Sequence, residues 1–267
     1  MPVPEHDPAF YDDLAATYDR MYEDWWGGAV ELAGSLAALL AAEGVRPPSE
    51  ILDCTCGIGT QALPLAARGY RMTGSDLSGP AVERARREAA DRGLDIDFGV
   101  ADVRRVADGL DRTFDAVVSC DNSLPHLVTD EDLILALSSI RRCLRPGGVF
   151  LATIRDYDRI LLEGMHGVVP EIRGEGDGRS IIGQAWEWAP DRRTLTLNHI
   201  LLLKQRGGPG WDAAVRTTTY RALRRAEFDS ALAASGFGEI RWVFPDESGY
   251  YQPVVLARAI DDFPSEA

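Results

Sequence analysis

The sequence predicts an α/β fold: a mostly parallel sheet of seven strands with helices on both faces, an antiparallel β insertion, and helices in front. Three observations predict it. Between residues 51 and 155, apolar segments of strand length alternate with helical patterns, which is how βαβ units read. A glycine loop, Cys56-Gly57-Ile58-Gly59-Thr60, joins the first strand to the first of those helices. After Tyr157 the alternation gives way to long stretches rich in Thr, Trp, Ile and Leu, separated by turn signals.

Each element has its own justification. Residues 9–44 read as helices, because Phe10, Tyr11, Leu14, Tyr18, Met21, Tyr22 and Trp25 recur at spacings of three and four, and AVELAGSLAALLAAEGV continues the pattern. Gly44 ends that run and Pro47-Pro48 breaks the chain. Strands are expected at 51–54, 71–76, 96–100, 114–120 and 149–155, with helices at 61–69, 80–92 and 130–144, the last closed by Arg145-Pro146-Gly147-Gly148. Residues 179–188, 193–204 and 213–222 read as antiparallel strands, 226–236 as a helix, and 239–244 and 251–260 as the last two strands. The organisation expected is an N-terminal helical lid at 1–46, a cofactor-binding domain at 47–157 and 223–267, and a β-rich insertion on the substrate side at 158–222.

Composition narrows the function classes. With 267 residues, 45% apolar and 26% charged, the chain is neither disordered nor collagen-like. Twenty-eight basic against 42 acidic residues leave a net charge of −14, a field that repels nucleic acid and anionic membranes. Four cysteines with no CxxC pair and no Cys/His cluster argue against a disulfide framework or a structural zinc, and no metal is expected. The opening MPVPEHDPAFYDDL has no basic and apolar signal regions, and no run of about 18 apolar residues is evident. The expectation is a soluble cytoplasmic protein with a small-molecule substrate, no nucleic-acid or membrane partner, and self-association as an open possibility.

The glycine loop sits between a strand and a helix, where backbone N–H groups and a close backbone approach suit a ligand. Asp76 ends the next strand, about 20 residues on, where a carboxylate can receive two ribose hydroxyls. This much fits NAD(P), FAD or S-adenosyl-L-methionine. The third glycine of the dinucleotide fingerprint is missing, with Leu63 following instead, and the loop opens with an acid, Asp53. An acid suits a ligand carrying a sulfonium and an ammonium better than a pyrophosphate.

In LDCTCGIGT, Asp76, Val100-Ala101-Asp102-Val103, FDAVVSCDNSLPHL and LRPGG, taken in that order, the chain resembles the class I S-adenosylmethionine-dependent methyltransferases over residues 9–157. The resemblance implies a Rossmann-like sheet and S-adenosyl-L-methionine as cofactor. It implies that the loop holds the methionine part, Asp76 the ribose, and Asp102 faces the adenine. The cofactor set is then Tyr18, Asp53, Cys54, Gly57, Gly59, Asp76, Leu77, Asp102, Val103 and Cys120. Each acid has a plainer role available, since Asp53, Asp76 or Asp102 could simply cap the helix that follows. Cys54 and Cys56 read as small packing residues in the turn.

A narrower likeness joins CDNSLPHL and TIRDYDRIL to two segments of the glycine N-methyltransferases. It implies Arg155 as the grip on a substrate carboxylate and Asn122 as a substrate hydrogen-bond partner. Asp121 departs from that pattern, where the family has Gly, and Leu124 where it has Phe. Arg155 stands at the carboxyl end of a predicted strand, where ligands bind in open α/β sheets, and a planar guanidinium matches a carboxylate or phosphate. It could instead pair with Asp156 or Asp158, Asn122 could tie its loop, and His126 could be a base or a loop stabiliser. The N-terminal aromatics, Tyr22 among them, read as a hydrophobic seam or as a lid with a Tyr near the sulfonium. The candidate catalytic set is Asn122, Arg155, His126 and Tyr22. The expected activity is methyl transfer to a small anionic molecule, first of all the amine of a glycine- or sarcosine-like amino acid. The alternatives are an O- or C-methyltransferase of a natural product or phosphorylated substrate, gripped with Arg173, Arg179 or Arg221 and served by Glu171 or His126, and a non-catalytic S-adenosylmethionine-binding regulator.

Overall fold

The structure, a computed structural model, describes residues 9–261. A short helix α1 (Ala9–Ala15) and a 3₁₀ turn at Tyr18–Met21 lead into α2 (Trp25–Ala42). Then follow β1 (Glu50–Asp53), α3 (Ala62–Ala67), β2 (Arg71–Asp76), α4 (Gly79–Asp91), β3 (Asp97–Val100), β4 (Phe114–Ser119), α5 (Asp130–Cys143), β5 (Leu144–Thr153) and α6 (Tyr157–Glu163). The chain continues through β6 (Gly167–Arg173), β7 (Ser180–Trp188), β8 (Thr194–Lys204) and β9 (Trp211–Arg221). It closes with α7 (Arg225–Ala234), β10 (Phe237–Val243), α8 (Pro245–Ser248) and β11 (Val254–Ala259).

Seven strands form one sheet in the order β10-β11-β5-β4-β1-β2-β3, in which β11 alone runs against the others. The strand order reverses between β1 and β4, so their carboxyl ends flank the crevice where open α/β sheets bind ligands. One face is covered by α2, α3 and α4 and the other by α5 and α7, giving two apolar cores on either side of the sheet. Local chemistry sets the helix ends. Ser78 accepts from the Ala81 N–H to cap α4, and Thr129 accepts from the Asp132 N–H to cap α5. Helix α5 also carries Asp130, Glu131 and Asp132 in its first turn and Arg141 and Arg142 in its last, matching the helix dipole at both ends.

The sheet is the predicted one, and four details differ. The N-terminal aromatic run is not one helix: it breaks after Ala15 and restarts where Asp24 caps α2 through the Gly27 N–H. The break lets Leu14 and Met21 pack on Ile182 and Leu201 while Trp25 packs in the main core, two surfaces a straight helix would not reach. The Arg-Pro-Gly-Gly turn lies inside β5, bulged out between the pairs Phe114↔Leu144 and Ala116↔Val149. Strand β6 is absent from the expected strands, and it carries Pro170. It is the edge of its sheet, where a missing N–H costs no ladder bond, and its pairing shifts across that proline. Finally, α2 is long and apolar enough to pass as a membrane span, contrary to the expectation that no segment would. Its Trp25, Ala29, Ala33, Leu36 and Leu40, at spacings of three and four, are buried in the core.

Strands β6 to β9 form a separate antiparallel sheet. Residues 9–22 run between it and the main sheet and are tied to both. Ser78 donates to Asp12, and Arg84 donates to the Ala15 carbonyl and pairs with Asp19 at 2.8 Å. From the antiparallel sheet, Arg216 donates to the Asp13 carbonyl and Arg173 to that of Met21.

Candidate active site

The carboxyl ends of β1, β2 and β4, with residues 10–18 opposite, enclose a cleft of about 1080 Å³. Its wall begins at the glycine loop. Gly57 has φ +52°, and a Cβ there would meet nothing, since the position faces open space. Gly59 has φ +94°, and a Cβ there would strike the Leu63 side chain at 2.8 Å. The first glycine thus leaves room in the cleft, whereas the second lets α3 close against the loop. Asp76 fixes the loop from the next strand: its carboxylate accepts from the Gly57 N–H at 2.8 Å and the Ser78 N–H at 2.9 Å. Burial raises its pKa, and these two donors oppose the shift.

Asp53 lies fully buried beneath the loop. One carboxylate oxygen accepts a long bond from the Thr55 N–H, 3.4 Å, and the other is buried without a partner among the described residues. Burial pushes its pKa up to about 8, and the nearby Asp76 and Asp121 charges add to the rise. Asp53 is not among the residues that line the cleft, and a buried acid with an orphaned oxygen beneath the loop is suited to a cationic group. Together with the open space at Gly57, it fits the ammonium and sulfonium of the cofactor named above. Cys54, Leu77, Val103, Cys120 and Tyr18 line the same cleft. Cys54 and Cys56 are buried free thiols whose pKa burial raises, as packing residues should be. Asp102 lines the cleft, yet also does the plainer job: it accepts from the Arg104 N–H at 2.9 Å and grips the Arg104 guanidinium, which reaches on to Asp132 at 2.7 Å.

Beside the cleft a second set of groups is assembled from distant segments; of Asn122, Arg155, His126 and Tyr22, His126 lines the cleft itself. Arg155 is not paired with Asp156 or Asp158, because Arg225 takes both, at 2.6 and 3.5 Å. Its guanidinium sits over the rings of Trp186 and Tyr220, with its carbon 5.2 and 5.4 Å from their centroids. Nη2 donates to Gln184 at 3.1 Å, and Nη1 is buried without an acceptor among the described residues. Asn122 is buried: Oδ1 accepts the Arg155 N–H and Nδ2 donates to the Tyr157 hydroxyl, both at 3.0 Å. These bonds position Arg155 from beneath, the loop-tying role that was one of the two expected of it. His126 reaches the cleft wall, Nε2 2.8 Å from the Tyr11 hydroxyl and its ring 4.1 Å from that of Tyr220. Tyr22 is one step removed, its hydroxyl donating to that of Tyr18 at 3.3 Å and its pKa raised by burial to about 12.

Several groups here escaped sequence reasoning. Gln184, His199 and Arg216 stand side by side across β7, β8 and β9, a polar row that meets Arg155 through Gln184. Burial and the neighbouring Arg216, Arg155 and Arg173 push the His199 pKa down to about 4, so the imidazole is neutral at pH 7. The acid at 121, visible in the sequence only as a departure from glycine, accepts from Gln61 at 2.7 Å, from Tyr251 at 2.8 Å and from Tyr250. Thr218 also lines the cleft. Two residues suggested for a phosphorylated substrate point elsewhere: Arg221, a candidate grip, pairs with Asp130 at 2.6 Å, and Glu171, a candidate base, lies exposed on Arg173.

Comparison with known proteins agrees with this layout. Residues 51–148 match the model of a methyltransferase domain. The chain is 28% identical over 231 residues to the Bacillus subtilis protein YqeM, which carries a methyltransferase name, covering 85% of this chain and 86% of that one. It is 29% identical over 183 residues to a glycine/sarcosine N-methyltransferase of Parasynechococcus marenigrum, covering 68% of this chain and 61% of the relative. Among solved structures, CalS10 of Micromonospora echinaspora, an amino pentose methyltransferase with S-adenosylmethionine bound, superimposes with a TM-score of 0.73 at 21% identity. That match covers 91% of this chain and 95% of CalS10.

Proposed function

The chain is an S-adenosylmethionine-dependent methyltransferase with its methyltransferase domain at residues 51–148, and from that premise we propose that its acceptor is the amine of a small carboxylate-bearing molecule of the glycine or sarcosine kind. When bound, S-adenosylmethionine supplies a methyl group on a cationic sulfur, and the acceptor's lone pair forms the new bond as the carbon–sulfur bond breaks, passing the positive charge to the acceptor. Asp53, Gly57 and Asp76 are the residues suited to hold it.

One observation carries the acceptor reading. Arg155 is braced by Gln184, Trp186 and Tyr220, freed from Asp156 and Asp158 by Arg225, and left with a buried Nη1 that lacks an acceptor. An unneutralised, half-immobilised guanidinium is suited to a carboxylate, with little further ordering needed on binding. An amine needs no dedicated strong base, because the neutral form already carries the lone pair. The printed names of two similar proteins, an N-methyltransferase of glycine and sarcosine and a methyltransferase of an amino pentose, support an amine acceptor.

A second reading, O-methylation, has one observation in its favour: His126 on the cleft wall, held by Tyr11, could take a proton from a hydroxyl. Incubation with S-adenosylmethionine and either glycine or sarcosine, read by mass spectrometry, tests the first reading. A product heavier by one CH2 unit is expected. Absence of product with both, while the cofactor binds, would overturn it.

A further inference from the structure

Asp121 stands on the cleft wall just past the carboxyl end of β4, in the left-handed region at φ 59°, with Asn122 beside it at φ 65°. Aspartate and asparagine enter this region more readily than other non-glycine residues, and two in succession are held there by their surroundings. The surroundings here are donors. Tyr250 and Tyr251, their rings stacked at 5.1 Å, turn both hydroxyls onto one oxygen, and Gln61 donates to the other. Tyr251 exposes 55% of its surface yet keeps this inward bond. Tyr18 and Tyr22 lie close enough that the Asp121 charge raises the pKa of both hydroxyls, after the larger effect of their burial. Every donor to Asp121 is neutral, and no salt bridge reaches it among the described residues. The carboxylate is therefore fixed in direction without being neutralised, inside a setting of aromatic rings.

The positive pole of the site is fastened to the same loop. Asn122, the next residue, accepts the Arg155 N–H, and β4 and β5 pair just before the loop at Ser119↔Ala152. A cleft-lining carboxylate and a guanidinium thus stand on adjacent strand ends, the second tied through its backbone to the loop that carries the first.

We propose that Asp121 receives the nitrogen end of the acceptor, so that the site takes a molecule with an amine at one pole and an anion at the other. This deepens the amine reading above and rests on it. The acceptor nitrogen gains the positive charge as its lone pair forms the C–N bond, and a preoriented carboxylate beside it stabilises that charge. A hydroxyl acceptor sheds a proton and ends neutral, so Asp121 favours nitrogen over oxygen. For the cofactor's own ammonium the proposed partner is a different acid, Asp53, whose second oxygen lacks a partner among the described residues.

The test uses the full chain loaded with S-adenosylhomocysteine and calorimetric titration of two probe pairs. Choline is compared with its tert-butyl analogue, in which carbon replaces nitrogen, and glycine betaine with its own tert-butyl analogue. Each pair shares a shape and differs by one positive charge. Choline and betaine are expected to bind about tenfold or more tightly than their neutral twins, as a desolvated cation over aromatic faces beside a carboxylate should. Asp121→Asn should erase that preference in both pairs and leave the S-adenosylhomocysteine affinity within about twofold. Arg155→Ala should weaken betaine and leave the preference for choline intact. Equal affinity for choline and its twin in the unaltered protein, or binding of neither, overturns the proposal without any variant having to fold. A tenfold loss of S-adenosylhomocysteine affinity in Asp121→Asn would also overturn it, assigning the residue to the cofactor. If choline is preferred but betaine gains nothing from its carboxylate, Asp121 is supported and the Arg155 reading fails alone.

Discussion

In the cofactor half of the cleft, polar groups that meet are close in the chain; in the acceptor half they are far apart. Asp53, Gly57 and Asp76 belong to successive strand ends of one parallel sheet, and the longest hydrogen bond among them, Gly57 to Asp76, spans 19 residues. Tyr11 meets His126 across 115 residues and Tyr220 across 209, and Tyr251 meets Asp121 across 130. The first half is fixed by backbone geometry, because a parallel βα unit sets where its loop and the next strand end must lie. The second half is fixed only when three separately folded pieces dock. A change at one of its groups should therefore alter acceptor handling and leave the cofactor alone.

The largest expected effect tests that separation. Arg155→Ala removes a charged hydrogen-bond donor worth about 1.5–3 kcal/mol, so kcat/KM for the methylated amino acid should fall roughly 10–100-fold. The cofactor Kd, measured by calorimetry, should stay the same. If both constants moved together, the two halves would be one cooperative unit.

A smaller effect belongs to the cofactor half and follows from Asp53, whose pKa lies near 8 in the folded chain against an ordinary 3.8. A cationic ligand that ionises this carboxyl displaces its proton. Cofactor affinity should thus climb by up to about tenfold per pH unit below pH 8 and level off above it. Stability of the ligand-free chain runs the other way. The folded state keeps a proton that the unfolded carboxyl has already lost. The stabilising contribution is whole below about pH 4 and fades as the pH rises through 8. Asp53→Asn should flatten both curves, and a cofactor affinity that ignores pH in the unaltered protein would count against Asp53 as the cationic receptor.

The two glycines sharpen the contrast within one loop. Gly59→Ala drives a methyl group into Leu63 and should lower stability by about 1–3 kcal/mol in urea melts. Gly57→Ala also meets a left-handed backbone but points its methyl into the cleft, so its loss should appear mainly in cofactor Kd. The smallest effect is at Tyr11→Phe, which deletes the 2.8 Å bond to His126. A fall of about two- to fivefold in kcat is expected from a neutral hydrogen bond of this kind, and a larger loss would point to His126 as a base that Tyr11 orients.

The same contrast explains what could be read from the residues alone. Strand β2 and its terminal Asp76 were legible to the residue, since the strand's apolar run and the acid at its end obey spacing rules internal to one βαβ unit. Arg155 was legible as a candidate, but whether it was free depended on Arg225, which arrives from 70 residues later to claim Asp156 and Asp158. Asn122 was left between two roles because the direction of its amide is set by Tyr157, whose burial under the antiparallel sheet no local pattern reveals. Tyr250 gave no signal and Tyr251 registered only as the start of the last expected strand, as they reach Asp121 only once α8 and β11 have closed the sheet.

The strap formed by residues 9–22 has a consequence for tempo. It is fastened to α4 through Asp12, Ala15 and Asp19 and to the antiparallel sheet through Asp13 and Met21, while Tyr11 and Tyr18 roof the cleft. Undoing one side leaves the other clasped, so traffic in and out requires both to yield together. Departure of the spent nucleoside, rather than bond formation, is then the expected slow event of each cycle. A rapid-quench time course should show a burst of one product per enzyme followed by a slower steady rate, and Arg84→Ala should quicken the slow phase. Product that accumulates linearly from the first turnover would show that the clasp does not govern the pace.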